Sequence, residues 1–190
     1  MNILLATKNK HKHSEISKIF NNTGNIHQAI YKEDLISVVE DKDTILENAK
    51  KKAHEVYEYY NLPVISDDSG LFVNSLGGLP GLHSARYAGE NASDQQNVDK
   101  LLDSLTGIEN RSAYFQTILY FYDGINELST EGILKGSITH RQRGENGFGY
   151  DSVFEYENKT LAELSPTEKN SISHRKIATV KLVGILNEKI

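Results

Sequence analysis

Two carboxylates stand side by side in the stretch "SDDSG", residues 66 to 70, between the apolar runs "LPVI" and "LFV". Asp, Ser and Gly are turn formers, so the stretch is expected to be a turn at a strand end or kink. Adjacent carboxylates suggest a cation. Mg²⁺ takes one or two protein carboxylates and completes its shell with substrate phosphate and water, so Asp68 together with Glu40 would suffice. Glu40 lies just ahead of a helical segment that carries Lys50, Lys51 and Lys52. A second basic segment, "TKNKHK" at residues 7 to 12, follows the apolar run "NILLA". After a buried strand and before a helix, backbone N–H groups and the helix dipole favour an anion, and Thr7, Asn9 and Lys12 add side-chain donors. The glycines and the Gly-Lys-Ser/Thr ending of a Walker loop are missing. "GENGFGYD" offers glycines that let backbone approach a ligand, with Phe148 and Tyr150 as stacking faces. His174 and Arg175, in "SISHRK", carry donors that could read a carbonyl oxygen, or could be exposed helix residues.

These groups need elements to hold them. "NILLA" reads as a buried strand, followed by a loop and then by Ile16, Ile19 and Phe20 at helical spacing. Between Asp43 and Tyr60 the apolar residues keep the 3.6-residue period, with Thr44 and Glu47 spaced as a capping box. Pro63 breaks that helix and a strand begins. "SLGGLPGLHSARYAGE" is expected to be a long ordered loop, and Ser93 with Gln96 opens another helix. "AYFQTILYFYDG" and "ELSTEGILKGSI" read as antiparallel strands about a turn at Asp123-Gly124, and the last segment as an amphipathic helix. Early alternation of strand and helix with paired strands in the middle predicts an α/β fold with a central mixed sheet and flanking helices, in one two-lobed domain spanning residues 1–190.

Composition narrows the function classes. The 190 residues, with 38% hydrophobic and 25% charged content, suit one soluble domain. No apolar run approaches the ~20 residues that span a bilayer. The N-terminus is apolar first and basic afterwards, the reverse of a secretory signal, so a cytoplasmic location is expected. Zero cysteines exclude disulfides, thiolate nucleophiles and sulfur-held zinc. A net charge of -5 argues against a general nucleic-acid coat, while local lysine clusters suit a small anion.

Taken together, "LATKNKHKHSE", "TILENAKKKA", "SDDSGLFVNSLGGLPGLHSARYAGE", "GFGYDSVF" and "LSPTEKNSISHRKIA" occur in an order that resembles the inosine triphosphate pyrophosphatase (HAM1-like) family. Members hydrolyse non-canonical purine nucleoside triphosphates to monophosphate and pyrophosphate. The resemblance implies an elongated α/β fold with a cleft between two lobes, Mg²⁺ as cofactor, and a homodimer. It assigns the triphosphate to the first motif (Thr7, Lys8, Asn9, Lys10, His11, Lys12) and to Lys52. Glu40 and Asp68 match the metal carboxylates, Asp68 being also the proton acceptor, and Ser69 a substrate contact. Phe148, Gly149, Tyr150 and Asp151 match the segment that lines the base pocket, and Lys169, His174 and Arg175 the remaining nucleotide contacts. Lys8 stands where the family usually has glycine, which raises the question of a positive φ there, and Ser152 where proline is frequent.

Other classes have their own signatures. A related pyrophosphatase of the Maf type would share the chemistry with another base preference. A nucleotide sensor would have little need of Asp68 and Glu40. A single-stranded nucleic-acid binder would use Tyr114, Phe115, Tyr120 and Phe121 as stacking faces and show strong salt dependence.

Overall fold

The computed structural model describes residues 1–24 and 26–189. The opening apolar run forms strand β1 (Asn2–Ala6), buried from Ile3 onward. It passes through a short loop into helix α1 (Lys10–Asn22), which turns Ile16, Ile19 and Phe20 inward. Strand β2 (Gln28–Ile30) returns parallel to β1. Helix α2 (Ile45–Tyr60) begins at Thr44, whose hydroxyl accepts from Glu47 N at 3.1 Å, and it stops at Asn61 in the left-handed conformation, φ 50°. Strand β3 (Val64–Val73) then pairs parallel with β1 in the register Leu4↔Val64, Leu5↔Ile65, Ala6↔Ser66.

Beyond β3 the chain makes the two-residue strand β4 (Pro80–Gly81), antiparallel to β3, and helix α3 (Asp94–Ser104), opened by a reciprocal capping box between Ser93 and Gln96. Strands β5 (Ser112–Tyr122) and β6 (Glu127–Ile138) are sheet neighbours joined by a four-residue turn, so they run antiparallel. Short strands β7 (Phe154–Tyr156) and β8 (Lys159–Thr160) follow, then helices α4 (Pro166–Ile172) and α5 (His174–Lys189). The sheet order is β2-β1-β3-β5-β6-β7-β8, with β4 attached to β3. It is the expected mixed sheet with flanking helices.

The chain resolves into two compact units, each assembled from separate stretches. The first comprises Met1–Ser69, Thr117–Gly132 and Ser173–Ile190. Its core joins Ile3 and Leu5 of β1, Ile16 and Phe20 of α1, Ile65, Leu119, Phe121, and the α5 face of Ala178, Leu182 and Leu186. The second comprises Gly70–Gln116 and Ile133–Ile172, around Leu71, Val73, Leu101, Phe115, Val153 and Phe154. Among the described residues no helix is long and apolar enough to cross a membrane.

One expectation is corrected. "SDDSG" is neither a turn nor a strand end: all five residues lie inside β3. Its turn-forming composition is overruled by pairing, because β1 holds the strand before Asp67 and β4 holds it after Gly70. Gly70 is there for close approach, since a Cβ at that position would lie 2.5 Å from Gly81 O. The aromatic strand packs as core rather than as a base platform. Phe115, Tyr120 and Phe121 are buried, and Tyr114 stacks on Phe72 at 5.0 Å.

Candidate active site

Alternation along β3 separates the two carboxylates. Ile65 packs with α1 and α5, whereas the Ser66 hydroxyl donates to Ala49 O of α2 at 2.5 Å. Asp67 therefore shares the α1/α5 face with Ile65, and Asp68 shares the α2 face with Ser66. Lys12 and Lys52 nonetheless act on both carboxyls. The sequence reading gave Asp67 no role, and strand parity was the signal that could have supplied one.

Asp67 is buried, and Lys12 Nζ lies 2.8 Å from its Oδ2. Lys52 Nζ donates to the main-chain oxygen of Asp67 at 2.6 Å and also contacts Glu40. Burial by itself would raise the Asp67 carboxyl, but Lys12, Lys52 and Arg175 overcome it and hold the group well below the usual carboxylate range. Asp68 goes the other way. Burial pushes its carboxyl up and the Glu40 carboxylate adds to the rise, against the pull of Lys12 and Lys52, so that it reaches about 6. Neighbouring acids are thus driven apart, one held ionised and one poised to exchange a proton near neutral pH.

The phosphate loop follows directly from the end of β1. Thr7 is buried and its hydroxyl accepts from Asn9 N at 3.3 Å. Asn9 is the N-cap of α1, its Oδ1 accepting from His11 N (3.0 Å) and Lys12 N (3.1 Å). These two N–H groups are engaged by the cap rather than offered to an anion, so the side-chain cations carry the electrostatic attraction here. Lys8, Lys10 and His11 are exposed, and Lys8 Nζ meets Ser37 Oγ at 2.5 Å. Lys8 is absent from the positive-φ residues, which apart from glycine are Asn61, Glu157 and Asn158 among the described residues. Lysine therefore stands at this position without left-handed strain. Of the lysines at 50 to 52, Lys50 pairs with Glu127 and Lys51 with Asp41, leaving Lys52 directed at Asp67 and Glu40. Ser69 N donates to Asp68 Oδ1 at 2.8 Å and its hydroxyl meets that of Thr117 at 2.5 Å. His174 and Arg175 open α5 and are both buried, so they are not exposed helix residues. Arg175 is held by Glu15 at 2.9 Å.

In the second unit, the "FGYD" residues form a cluster of their own. Lys169 Nζ lies 2.5 Å from Asp151 Oδ2 and 4.6 Å above the Phe148 ring, while the same carboxylate oxygen accepts from Phe148 N at 2.9 Å. Asp151 and Lys169 are both buried, so in this cluster they fix the ring that the sequence analysis puts forward for stacking. Gly149 N donates to Asp94 at 2.7 Å. Tyr150 offers no stacking face: it is buried in the core with its hydroxyl on Ser84 O at 2.8 Å. A cavity of about 220 Å³ beside Phe148 is lined by Asp94, Gln95, Gln142 and Asn146. Ser152 lies in a turn, its hydroxyl 3.1 Å from Gln142 Oε1.

The Ham1 family model matches residues 3–185. The chain belongs to the Ham1 family. A protein of Thermoanaerobacter sp. (strain X514) named dITP/XTP pyrophosphatase is 44% identical, the alignment covering 100% of this chain and 98% of the relative. The dITP/XTP pyrophosphatase of Aquifex aeolicus (strain VF5) is 42% identical, with 98% and 96% covered. Among solved Ham1 proteins, that of Staphylococcus aureus superposes with a TM-score of 0.88 at 36% identity over 100% of both chains. That of Coxiella burnetii gives 0.90 at 34% identity over 99% of both.

Among the described residues no group of three or more His, Asp or Glu side chains is arranged as a metal cage. Asp68 and Glu40 instead offer two carboxylates, and after burial it is the Glu40 charge that pushes the Asp68 carboxyl up. That donor set fits Mg²⁺, because a dication relieves the repulsion and needs only one or two protein carboxylates when phosphate and water fill its shell.

Proposed function

We propose that this Ham1 protein is a nucleoside-triphosphate pyrophosphatase that converts dITP, XTP and ITP to the nucleoside monophosphate and pyrophosphate. The observation that carries the reading is the arrangement at β3, where Lys12 meets the Asp67 carboxylate at 2.8 Å, Lys52 meets the Asp67 main-chain oxygen at 2.6 Å and the Glu40 carboxylate, and Asp68 is the next residue along the strand. It joins the names of the relatives, which are dITP/XTP pyrophosphatases over the full length of the chain.

A triphosphate resists attack by water because its own charge repels the electron pair and nothing holds the water in line. Lys12 and Lys52 supply the cations for the phosphate oxygens, with Asn9 Nδ2 as an additional donor. Asp68 accepts a proton from the attacking water, whose oxygen bonds to the α-phosphorus as the bond to the bridging α–β oxygen breaks. The pair of electrons leaves on pyrophosphate, and no covalent enzyme intermediate forms. Mg²⁺ held by Asp68 and Glu40 would supply neutralisation of phosphate charge and acidification of bound water.

Base selection is assigned to donors facing a 6-keto oxygen. In the first unit these are His174 and Arg175, whose burial makes a mismatched adenine amino group costly. In the second unit the Phe148 ring, fixed by Lys169 and Asp151, supplies the stacking face. A cytoplasmic homodimer belongs to the same reading, and sedimentation of the purified chain tests the dimer.

The deciding experiment is chromatography of products from dITP, XTP, ITP and ATP with Mg²⁺. Monophosphate and pyrophosphate from the first three, with little turnover of ATP, is the expected result. Diphosphate with orthophosphate rejects the cleavage position, and equal turnover of ATP rejects the roles of His174 and Arg175.

A further inference from the structure

We propose that Asp67 is a positioning residue that holds Lys12 in place and competes with phosphate for its ammonium group, so that pyrophosphate is released rather than retained. The inference rests on the phosphate role given to Lys12 above.

Its basis is the geometry of the pair. The Asp67 side chain is 1% exposed and is carried by β3, whereas the Lys12 side chain is 19% exposed and is carried by the first turn of α1. The carboxylate cannot follow an anion outward; the flexible lysine can. At 2.8 Å the two groups form a charge-assisted contact, so any phosphate oxygen must take the ammonium from a partner already in position. Lys52 is restrained through the same residue, by its bond to Asp67 O at 2.6 Å, and Glu40 neutralises it in turn. Both lysines therefore meet the substrate already paired. A pair of bare lysines would bind substrate and product alike, and such uniform attraction lowers KM without raising kcat while slowing product departure. A fixed counter-charge opposes that retention and still keeps Lys12 aimed.

The test is calorimetric titration of pyrophosphate, without metal, into the full chain and four variants. Asp67→Asn is expected to bind pyrophosphate about tenfold more tightly, about 1.4 kcal/mol, and to lower kcat and KM for dITP together. Asp67→Glu keeps the charge and should remain near wild type. Lys12→Gln should bind more weakly, and adding Asp67→Asn to it should change nothing further. Circular dichroism checks that each variant is folded. Equal or weaker binding by folded Asp67→Asn overturns the proposal, as does tightening that persists in the Lys12→Gln background, which would place the effect on another cation. If Asp67→Asn does not fold, the comparison of Asp67→Glu and Lys12→Gln with wild type decides: loss of pyrophosphate binding in both would make the pair purely structural and overturn it. Hydrolysis of dITP with no pyrophosphate binding by any form defeats the inference alone; the predicted binding pattern without any hydrolysis defeats the enzymatic reading alone.

Discussion

Replacing Asp68 by asparagine should inactivate the protein and, at neutral pH, make it more stable. The folded-state carboxyl titrates at about 6 against a reference of 3.8, a difference worth about 3 kcal/mol. Because the folded value is the higher one, the unfolded chain gives up its proton first as pH rises. Folding stability is therefore lost between pH 3.8 and about 6 and stays lost above that. Asparagine carries no charge to be penalised, and its Oδ1 can keep the bond from Ser69 N at 2.8 Å. Its new N–H groups need acceptors, so the net gain at pH 8 is expected to be between about 1 and 3 kcal/mol, or about 3 to 10 °C in Tm for a chain of this size. Calorimetric melts of wild type and Asp68→Asn at pH 8 and pH 4, without metal, measure it. The gain should shrink as pH falls toward 4. A Tm at pH 8 that is unchanged or lower would refute the argument that burial and Glu40 strain this carboxylate.

Three other outcomes are expected. Gly70→Ala places a Cβ 2.5 Å from Gly81 O and 3.0 Å from Gly81 C, both backbone atoms, so urea unfolding should show a loss of about 2 kcal/mol or more. Lys169→Met leaves the buried Asp151 carboxylate without its ammonium and should cost about 3–5 kcal/mol, whereas the double variant with Asp151→Asn should recover part of it in a double-mutant cycle. Phe148→Ala should reduce kcat/KM for dITP by about tenfold to a hundredfold with little change in Tm, as loss of one base-stacking face implies; steady-state kinetics and a melt together decide it.

Local signals were legible where the chain satisfies itself locally. Thr44 with Glu47 and Ser93 with Gln96 cap helices where their spacing says they should, and the alternation of "AYFQTILYFYDG" becomes β5. What stayed hidden were particular residues whose state depends on partners distant in sequence. All five residues of "SDDSG" are polar or turn-forming, and it is the neighbouring β1, β5 and β4, brought alongside by pairing, that make them part of a central strand. His174 and Arg175 read as surface residues by type, yet helix α5 buries its first two positions, and Arg175 finds Glu15 160 positions away. The site shows the same divide. Asp68, Glu40, Lys12 and Lys52 could be named from motifs, but the opposite facing of Asp67 and Asp68 follows from a strand that composition concealed. Tyr150 carried the right ring in the right motif and was still claimed by the core.

The register Ala6↔Ser66 sets the loop that starts at Thr7 and the carboxylates that start at Asp67 side by side, just past the same rung of one parallel ladder. Their separation is governed by strand spacing, about 4.8 Å between neighbouring chains, and not by how well side chains happen to pack. Such a gauge does not drift gradually: it keeps its value until the ladder itself opens. Warming should therefore leave the spacing of these groups intact up to the cooperative melt, and activity should disappear with the sheet rather than ahead of it.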